Sequence, residues 1–193
     1  MKRWGILYWN AFSYRTIMGF LRPKGEREAM FKRIAAEVGA QSVLELCCGP
    51  ADLFTALPGN AYLGIDKNPA FTRPLNRRGL QVRQGDILTV DWPSAECLVI
   101  VDSLYHFIGR MHLLLERIKS YPCRRVIISE PVHNVLTRLP AWLRPLAGWV
   151  TRVNGKYYSQ RYTEADLQQL LTGCGFQKTF RIGHNCIGVW DRC

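Results

Sequence analysis

Two acidic residues lie at or near the ends of apolar runs, at a spacing that suits the binding of a ribose. Glu45 lies near the end of the run at residues 42–46, which leads into a small-residue turn over 47–51 and a helix-like segment at about 51–57. Asp66 closes a second apolar run 21 positions after Glu45. An acid about 20 residues beyond the glycine turn of a strand–turn–helix is the usual ligand for ribose hydroxyls in a Rossmann-type site. The spacing therefore predicts a cofactor that contains adenosine.

The turn after the first run has too few glycines for a dinucleotide. Gly49 is its only glycine, with Cys47 and Ala51 at the flanking positions, and Pro50 removes one N–H from the start of the helix. A pyrophosphate requires close approach of the backbone and free N–H groups. A cofactor with a ribose and an amino-acid tail but no phosphate tolerates this turn. S-adenosylmethionine has these parts, and its sulfonium charge tolerates a nearby carboxylate such as that of Glu45.

Five stretches of the chain form an ordered set of motifs, namely residues 43–52, 63–66, 84–87, 99–107, and 161–163 with 175–176. The first, Val-Leu-Glu-Leu-Cys-Cys-Gly-Pro-Ala-Asp, resembles motif I of the class I S-adenosylmethionine-dependent methyltransferases in their Cys-Cys-Gly variant. The next three are similar to the ribose-binding, adenine-contacting and strand-four motifs of that family. The resemblance covers residues 42–190. Each motif alone is a weak signal, and their order and spacing together make a strong one.

The alternation of elements after residue 26 predicts an α/β fold built from βαβ units. Helices are predicted at 26–38, 51–57, 109–119 and 163–172, the last with Thr163 as its N-cap. Strands are predicted at about 42–46, 61–65, 80–83, 97–101, 125–129, 176–182 and 186–190. We therefore expect a Rossmann-like, seven-stranded, mostly parallel sheet with helices on both faces. The family resemblance implies that the last strand is antiparallel.

The length of 193 residues predicts a single domain, with two segments outside the βαβ rhythm. Residues 1–25 are expected to form an N-terminal cap helix, and residues 131–162 a basic, aromatic lid after strand five. Each region contains aromatic residues, five basic residues and no acid, so these two segments hold almost all of the net charge of +11. A field of this kind attracts anionic partners.

The cofactor site is predicted from residues at strand ends and in the motifs. Asp66 is expected to accept hydrogen bonds from the ribose hydroxyls, with Lys67 beside it. The resemblance implies that Asp86 reads the adenine amino group, with Ile87 next to it. The remaining predicted cofactor contacts, at the methionine end and the end of strand four, are Glu45, Cys47, Gly49, Asp102 and Ser103.

Catalytic and acceptor-binding residues are predicted from positions after strands four and five. Methyl transfer is a one-step displacement, so a base is required only where the acceptor carries a proton. His106, just past strand four, is the first candidate for a base or an orienting group, and Glu130, at the end of strand five, is the second. If the lid prediction holds, the acceptor pocket is shaped by Tyr105, Tyr157, Tyr158 and Arg161. The histidines show no spacing that indicates a metal site.

The seven cysteines and the hydropathy indicate a cytoplasmic protein. The cysteine count is odd and no Cys-x-x-C pair is present, so buried free thiols are expected rather than disulfides or a zinc site. No run reaches the roughly 20 apolar residues of a membrane span. The amphipathic, basic lid is nevertheless compatible with peripheral contact with a membrane.

Three functions remain open at this stage. The first is a methyltransferase for a small-molecule or lipid-like acceptor that is anionic or bound to an acidic carrier protein, or that lies at an anionic membrane surface. The second is an RNA methyltransferase, because basic patches with aromatic residues also bind nucleic acid. The third is a non-catalytic S-adenosylmethionine-binding subunit that supports a partner enzyme.

Overall fold

The computed structural model of the chain describes residues 4–23, 25–132, 150–153, 156, 158 and 160–192. Apolar runs bounded by glycine and polar residues form strands, and these strands join into a single seven-stranded sheet. The strands are β1 (Val43–Leu46), β2 (Tyr62–Asp66), β3 (Val82–Gln84), β4 (Cys97–Val101), β5 (Arg125–Pro131), β6 (Lys178–Ile182) and β7 (Asn185–Asp191).

The spatial order of the strands is β3-β2-β1-β4-β5-β7-β6. β7 runs antiparallel to both of its neighbours, and all the other neighbouring pairs are parallel. The predicted Rossmann-like sheet with an antiparallel last strand is thereby confirmed. The direction of the strand order reverses between β1 and β4. In open α/β sheets, ligands bind at such a switch point, beyond the carboxyl ends of the strands.

Helices cover both faces of the sheet. They are α1 (Ala11–Leu21), α2 (Glu26–Val38), α3 (Pro69–Arg77), α4 (Met111–Ser120) and α5 (Glu164–Gly173), with 3₁₀ segments at Ile6–Tyr8, Asp52–Ala56 and Leu104–Arg110. The helix-like segment predicted after β1 is therefore a 3₁₀ turn. The predicted cap of α5 is present, since the Thr163 hydroxyl oxygen accepts a hydrogen bond from the Asp166 N–H at 3.1 Å.

α3 is the one described helix after residue 26 that the sequence analysis does not predict. Asn68 caps it, with its side-chain oxygen 3.0 Å from the N–H of Ala70, and Pro69 occupies the first turn. Pro74 lies inside the helix. An interior proline removes a hydrogen-bond donor and usually ends a helix, which hides this element from an analysis of periodicity.

The hydrophobic core lies in two layers, one on each side of the sheet. On one side α2 packs Met30, Ile34 and Val38 against the strands. On the other side α4 and α5 pack buried leucine and isoleucine side chains against the opposite strand faces. β4 is buried along its whole length, as expected for a parallel strand covered on both faces. This packing fixes the strand ends that form the site.

The N-terminal segment, residues 4–23, folds back over the carboxyl edge of the sheet. Asn10 and Ser13 form a reciprocal capping box at the start of α1. The N–H of Gly5 donates a hydrogen bond to the carbonyl of Arg152 at 2.7 Å, so the segment meets the described end of the predicted lid. A Cβ at Gly5 would collide with the backbone of Val150. Residues 133–149 of that lid lie outside the described residues.

Within the described ranges, no helix has the length and apolar character needed to cross a bilayer.

Candidate functional site

A cavity of about 220 Å³ lies at the carboxyl edge of the sheet. Its walls come from the ends of β1, β2 and β4 and from the N-terminal segment. The predicted site residues that line it are Glu45, Cys47, Gly49, Asp66, Lys67, Asp86, Ile87, Asp102, Ser103, Tyr105, His106, Tyr158 and Arg161. Glu130 is not among the described lining residues, and Tyr157 lies outside the described residues.

The turn after β1 holds a left-handed backbone at the positions where glycines are missing. Cys47 has φ of 57°, Gly49 of 53° and Ala51 of 55°. A non-glycine residue in this region costs roughly 1–2 kcal/mol. The turn therefore keeps the backbone path that glycines would favour, at a cost in strain.

Asp66 joins this turn to the end of β2. One oxygen of its carboxylate accepts the N–H of Gly49 at 2.8 Å, and the other accepts the N–H of Asn68 at 2.7 Å. Burial raises the pKa of Asp66 to about 6, against the lowering effect of these hydrogen bonds. A carboxylate oxygen has further lone pairs, so the group can still accept hydrogen bonds from two hydroxyls. Asp66 thus also has a structural role that the sequence analysis did not assign.

Asp86 and Lys67 form an ion pair on the cavity wall. The Lys67 ammonium lies 2.6 Å from one Asp86 oxygen, and the other oxygen accepts the N–H of Leu88 at 3.1 Å. Burial acts to raise the pKa of Asp86, but the hydrogen bonds from Lys67 and Leu88 outweigh it and hold the pKa below its usual value. Asp86 is therefore an anion at neutral pH. Ile87 is buried beside it.

Glu45 is buried at the end of β1 and is hydrogen-bonded to the hydroxyl of Tyr62. Burial raises the pKa of this carboxyl to about 8, although the bond from Tyr62 acts to lower it. At neutral pH Glu45 is therefore mainly an uncharged acid. Burial also raises the pKa of the Cys47 and Cys48 thiols, which keeps both sulfurs protonated. The six described cysteines are all free.

The end of β4 is tied to the N-terminal segment by a buried ion pair that the sequence analysis missed. The Arg22 guanidinium lies 2.8 Å from one Asp102 oxygen, and the exposed fractions of the two side chains are 3% and 9%. The Asn185 amide donates to the other Asp102 oxygen at 2.7 Å. Asp102 has φ of 53°, a conformation that aspartate tolerates better than most residues. Ser103, next to it, donates its hydroxyl to the Val101 carbonyl at 2.9 Å.

His106 is a neutral imidazole in the wall of the cavity. Burial, with a further contribution from the charge of Arg161, lowers its pKa to about 3. Its Nδ1 atom is buried and has no hydrogen-bond partner among the described residues. The ring stacks edge to face with Tyr158, with centroids 4.8 Å apart. An imidazole of such low pKa is a poor proton acceptor, so the burial of the ring favours the orienting role over that of a base.

Glu130 faces the backbone rather than the cavity. Its two carboxylate oxygens accept the N–H groups of Leu104 at 2.8 Å and Tyr105 at 3.1 Å, and the residue is fully buried. Burial raises its pKa to about 8, helped by the charge of Asp102. The structure thus gives Glu130 the position of a support for the segment that carries Tyr105 and His106. It does not bring Glu130 into the lining of the cavity.

An aromatic and cationic group forms a further part of the cavity wall. The Arg161 guanidinium lies 3.6 Å above the centroid of the Tyr105 ring and donates to the Tyr158 carbonyl at 2.6 Å. The Tyr105 hydroxyl lies 3.4 Å from that of Tyr8. Other aromatic lining residues are Trp4, Tyr14, Phe71 and Phe107. The aromatic composition of residues 1–25 was the only sequence signal for the N-terminal part of this wall.

No group of three or more potential metal ligands occurs within the described part of the chain.

Comparison with known proteins adds information on the fold. No protein-family model matches the chain, and no curated protein matches it. Many solved structures share its fold. The fold is that of S-adenosylmethionine-dependent methyltransferases.

Three of these structures illustrate the range of the similarity. The magnesium protoporphyrin IX methyltransferase of Synechocystis PCC 6803 with bound SAH has a TM-score of 0.67 and 14% identity, over 97% of this chain and 98% of the other. The mitomycin 7-O-methyltransferase MmcR has a TM-score of 0.63 and 18% identity, over 94% of this chain. The alignment spans 57% of the MmcR chain.

The third is the 16S rRNA methyltransferase RmtF in complex with S-adenosyl-L-homocysteine, which has a TM-score of 0.62 and 15% identity. The alignment covers 95% of this chain and 65% of RmtF. Proteins that differ in their acceptors thus share this fold, which leaves the choice of acceptor to the site itself.

Proposed function

We propose that this chain is an S-adenosylmethionine-dependent methyltransferase for a small-molecule or lipid-like acceptor that carries an anionic group. The main support is one cavity whose walls hold both the acids Asp66 and Asp86 and the aromatic rings of Tyr105 and Tyr158 with Arg161. The two acids suit the nucleoside of the cofactor. The rings and the arginine suit an apolar body with an anionic group. The thiols of the six described cysteines are free, which suits the cytoplasm.

The lining residues fit the proposed cofactor. Asp66 has lone pairs left for ribose hydroxyls, and Asp86 is an anion that can accept a hydrogen bond from an adenine amino group. Glu45, being mainly neutral, can lose its proton when a cationic group approaches, which offsets part of the cost of burying that cation. When bound, S-adenosylmethionine would supply an electrophilic methyl carbon, and its sulfur would be the leaving group as the acceptor atom bonds to that carbon.

The residues around the proposed acceptor orient and shield the reacting groups. His106, which is neutral, lines this part of the cavity, and its edge-to-face contact with Tyr158 fixes the wall that would hold the acceptor in line. Tyr105, Tyr158 and the N-terminal segment exclude water from this part of the cavity. His106 would not hold a proton from the acceptor, since its pKa is about 3, so this site suits an acceptor that has lost its proton before the transfer or that loses it to solvent afterwards.

The cofactor is tested by calorimetric titration with S-adenosylmethionine and S-adenosylhomocysteine, with NAD as a control. We expect binding of the first two only. Asp66→Asn should weaken both about 10–100-fold, because hydrogen bonds to a charged group contribute about 1.5–3 kcal/mol. Asp91→Asn, at an exposed position outside the cavity lining, is the matched control. Preference for NAD, or equal binding by the Asp66 variant, would contradict the proposal.

RNA is the second candidate acceptor, supported by the net charge of +11 and by the fold shared with RmtF. An RNA acceptor predicts association that weakens steeply with added salt, since each neutralised phosphate releases counterions. Methyl transfer to small anionic lipids but not to RNA would support the first proposal. Cofactor binding without turnover on any acceptor would instead indicate a non-catalytic subunit. Methyl transfer to a substrate bound to a carrier protein would add carrier-bound molecules to the proposed acceptors.

A further inference from the structure

The N-terminal segment exposes three large apolar side chains within twelve residues. Trp9 is 57% exposed, Phe12 79% and Phe20 93%. Of the described residues, only Phe54 and Leu113 are other large hydrophobics with comparable exposure, at 37% and 41%. Single exposed apolar residues are common, but a concentration of them marks an interaction surface. We call Trp9, Phe12 and Phe20 the aromatic face.

The same helix has a different role on its other side. Tyr14, Met18 and Leu21 of α1 line the cavity, while Phe12 and Phe20 point to solvent. α1 is therefore a wall between the candidate site and the surroundings. The inner side chains contribute to the stability of the fold, but no described residue covers the outer ones.

A cluster of unpaired positive charge lies on the neighbouring helix. α3 packs against the N-terminal segment, with the Phe71 ring 6.5 Å from that of Tyr8 and 5.8 Å from that of Tyr14. α3 and its C-cap expose Arg73, Arg77 and Arg78, none of which forms an ion pair with a described residue. No acid occurs between residues 67 and 85. We call these three arginines the basic cluster.

We infer that the aromatic face and the basic cluster bind the surface of an anionic lipid bilayer. Phenylalanine side chains have no polar atom to satisfy, so transfer from water into the acyl–headgroup boundary is favourable. The arginines of the adjacent helix α3 gain from the negative surface potential of anionic lipids. A single-stranded nucleic acid would need a groove with stacking rings, whereas Phe12 and Phe20 stand on the outer side of a helix. This inference goes beyond the proposed function and does not depend on it.

The test is co-sedimentation of the full chain with vesicles of phosphatidylcholine alone or of phosphatidylcholine with phosphatidylglycerol. We expect binding to the anionic vesicles and little binding to the neutral ones. Phe12→Ser with Phe20→Ser should weaken binding at least tenfold, because burying one such ring contributes about 1.5–3 kcal/mol. Leu113→Ser, on α4, is the matched control and should bind as the wild type does.

The basic cluster is tested by a triple change of Arg73, Arg77 and Arg78 to Gln. Each arginine near an anionic surface contributes about 1 kcal/mol, so binding should fall more than tenfold. A control with Lys32, Arg124 and Lys178 changed to Gln removes the same charge from side chains that are 73%, 76% and 55% exposed. That control should retain most of the binding. An equal loss in both triple variants would show that net charge alone acts and would overturn the inference.

Two further outcomes would also overturn it. If the wild type fails to bind anionic vesicles but binds RNA, and the phenylalanine variant loses that RNA binding, the face recognises nucleic acid. If the wild type is a dimer by analytical ultracentrifugation and the phenylalanine variant is a monomer, the face joins two copies of the chain. Titration with S-adenosylmethionine on every variant shows that the site is intact, so failure of lipid docking is distinguishable from failure of the proposed function.

Discussion

At the scale of single residues, burial decides which acids carry charge. Asp86 is paired with Lys67 and stays an anion, whereas Glu45 and Glu130 are buried with pKa values of about 8. Their nearest donors differ, since Glu45 has the hydroxyl of Tyr62 and Glu130 has two backbone N–H groups. Acids that look alike in the sequence therefore perform different tasks in the fold.

The raised pKa of Glu45 predicts a measurable dependence of stability on pH. The folded state holds a proton that the unfolded chain has lost at neutral pH, so the free energy of unfolding falls as pH rises toward 8. Each such group contributes a slope of about −1.4 kcal/mol per pH unit, and Glu130 contributes a second. Glu45→Gln keeps an acceptor for the Tyr62 hydroxyl and removes one of these two titrating groups. The slope, measured by urea unfolding between about pH 7 and 7.5, should therefore be halved. An unchanged slope would mean that Glu45 is ionised in the folded protein.

At the scale of elements, the turn after β1 shows what a sequence pattern predicts and what it omits. The spacing from Glu45 to Asp66 correctly places both at strand ends, because parallel strands end at one edge of the sheet. The pattern does not show that Asp66 also holds Gly49, since that bond depends on the three-dimensional path of the turn. α3 was missed because Pro74 breaks its pattern. The Arg22–Asp102 pair was missed because 80 residues separate its partners.

The left-handed backbone of this turn predicts an unusual response to glycine. Ala51→Gly removes strain of roughly 1–2 kcal/mol and gives up the burial of one methyl group, about 0.8 kcal/mol. The free energy of unfolding should therefore stay the same or rise slightly. Ala35→Gly, in the last turn of α2, is the control and should lose up to about 1 kcal/mol. Chemical denaturation of both variants makes the comparison, and an equal loss at the two positions would argue against the strained turn.

At the scale of the whole molecule, the N-terminal segment is a structural part of the site. Arg15 and Arg27 both pair with Asp52 in the turn after β1, at 2.7 Å and 3.0 Å, so α1 and α2 meet there. Arg22 reaches Asp102 at the end of β4. A segment that would otherwise be a separate cap is thus held against the two strands at the switch point. These contacts hold the N-terminal wall of the cavity in place.

The buried ion pair of Arg22 and Asp102 predicts how strongly the attachment of the N-terminal segment to the sheet depends on charge. Arg22→Leu leaves the Asp102 carboxylate buried without its cation, which should lower the free energy of unfolding by about 3–5 kcal/mol. Adding Asp102→Asn removes the stranded charge, keeps an acceptor for Asn185 and suits the left-handed backbone, so most of the loss should be recovered. Urea unfolding measures both variants, and limited proteolysis reports whether residues 4–23 detach. If the double variant were no more stable than the single one, the ion pair would not be what holds the N-terminal segment on the sheet.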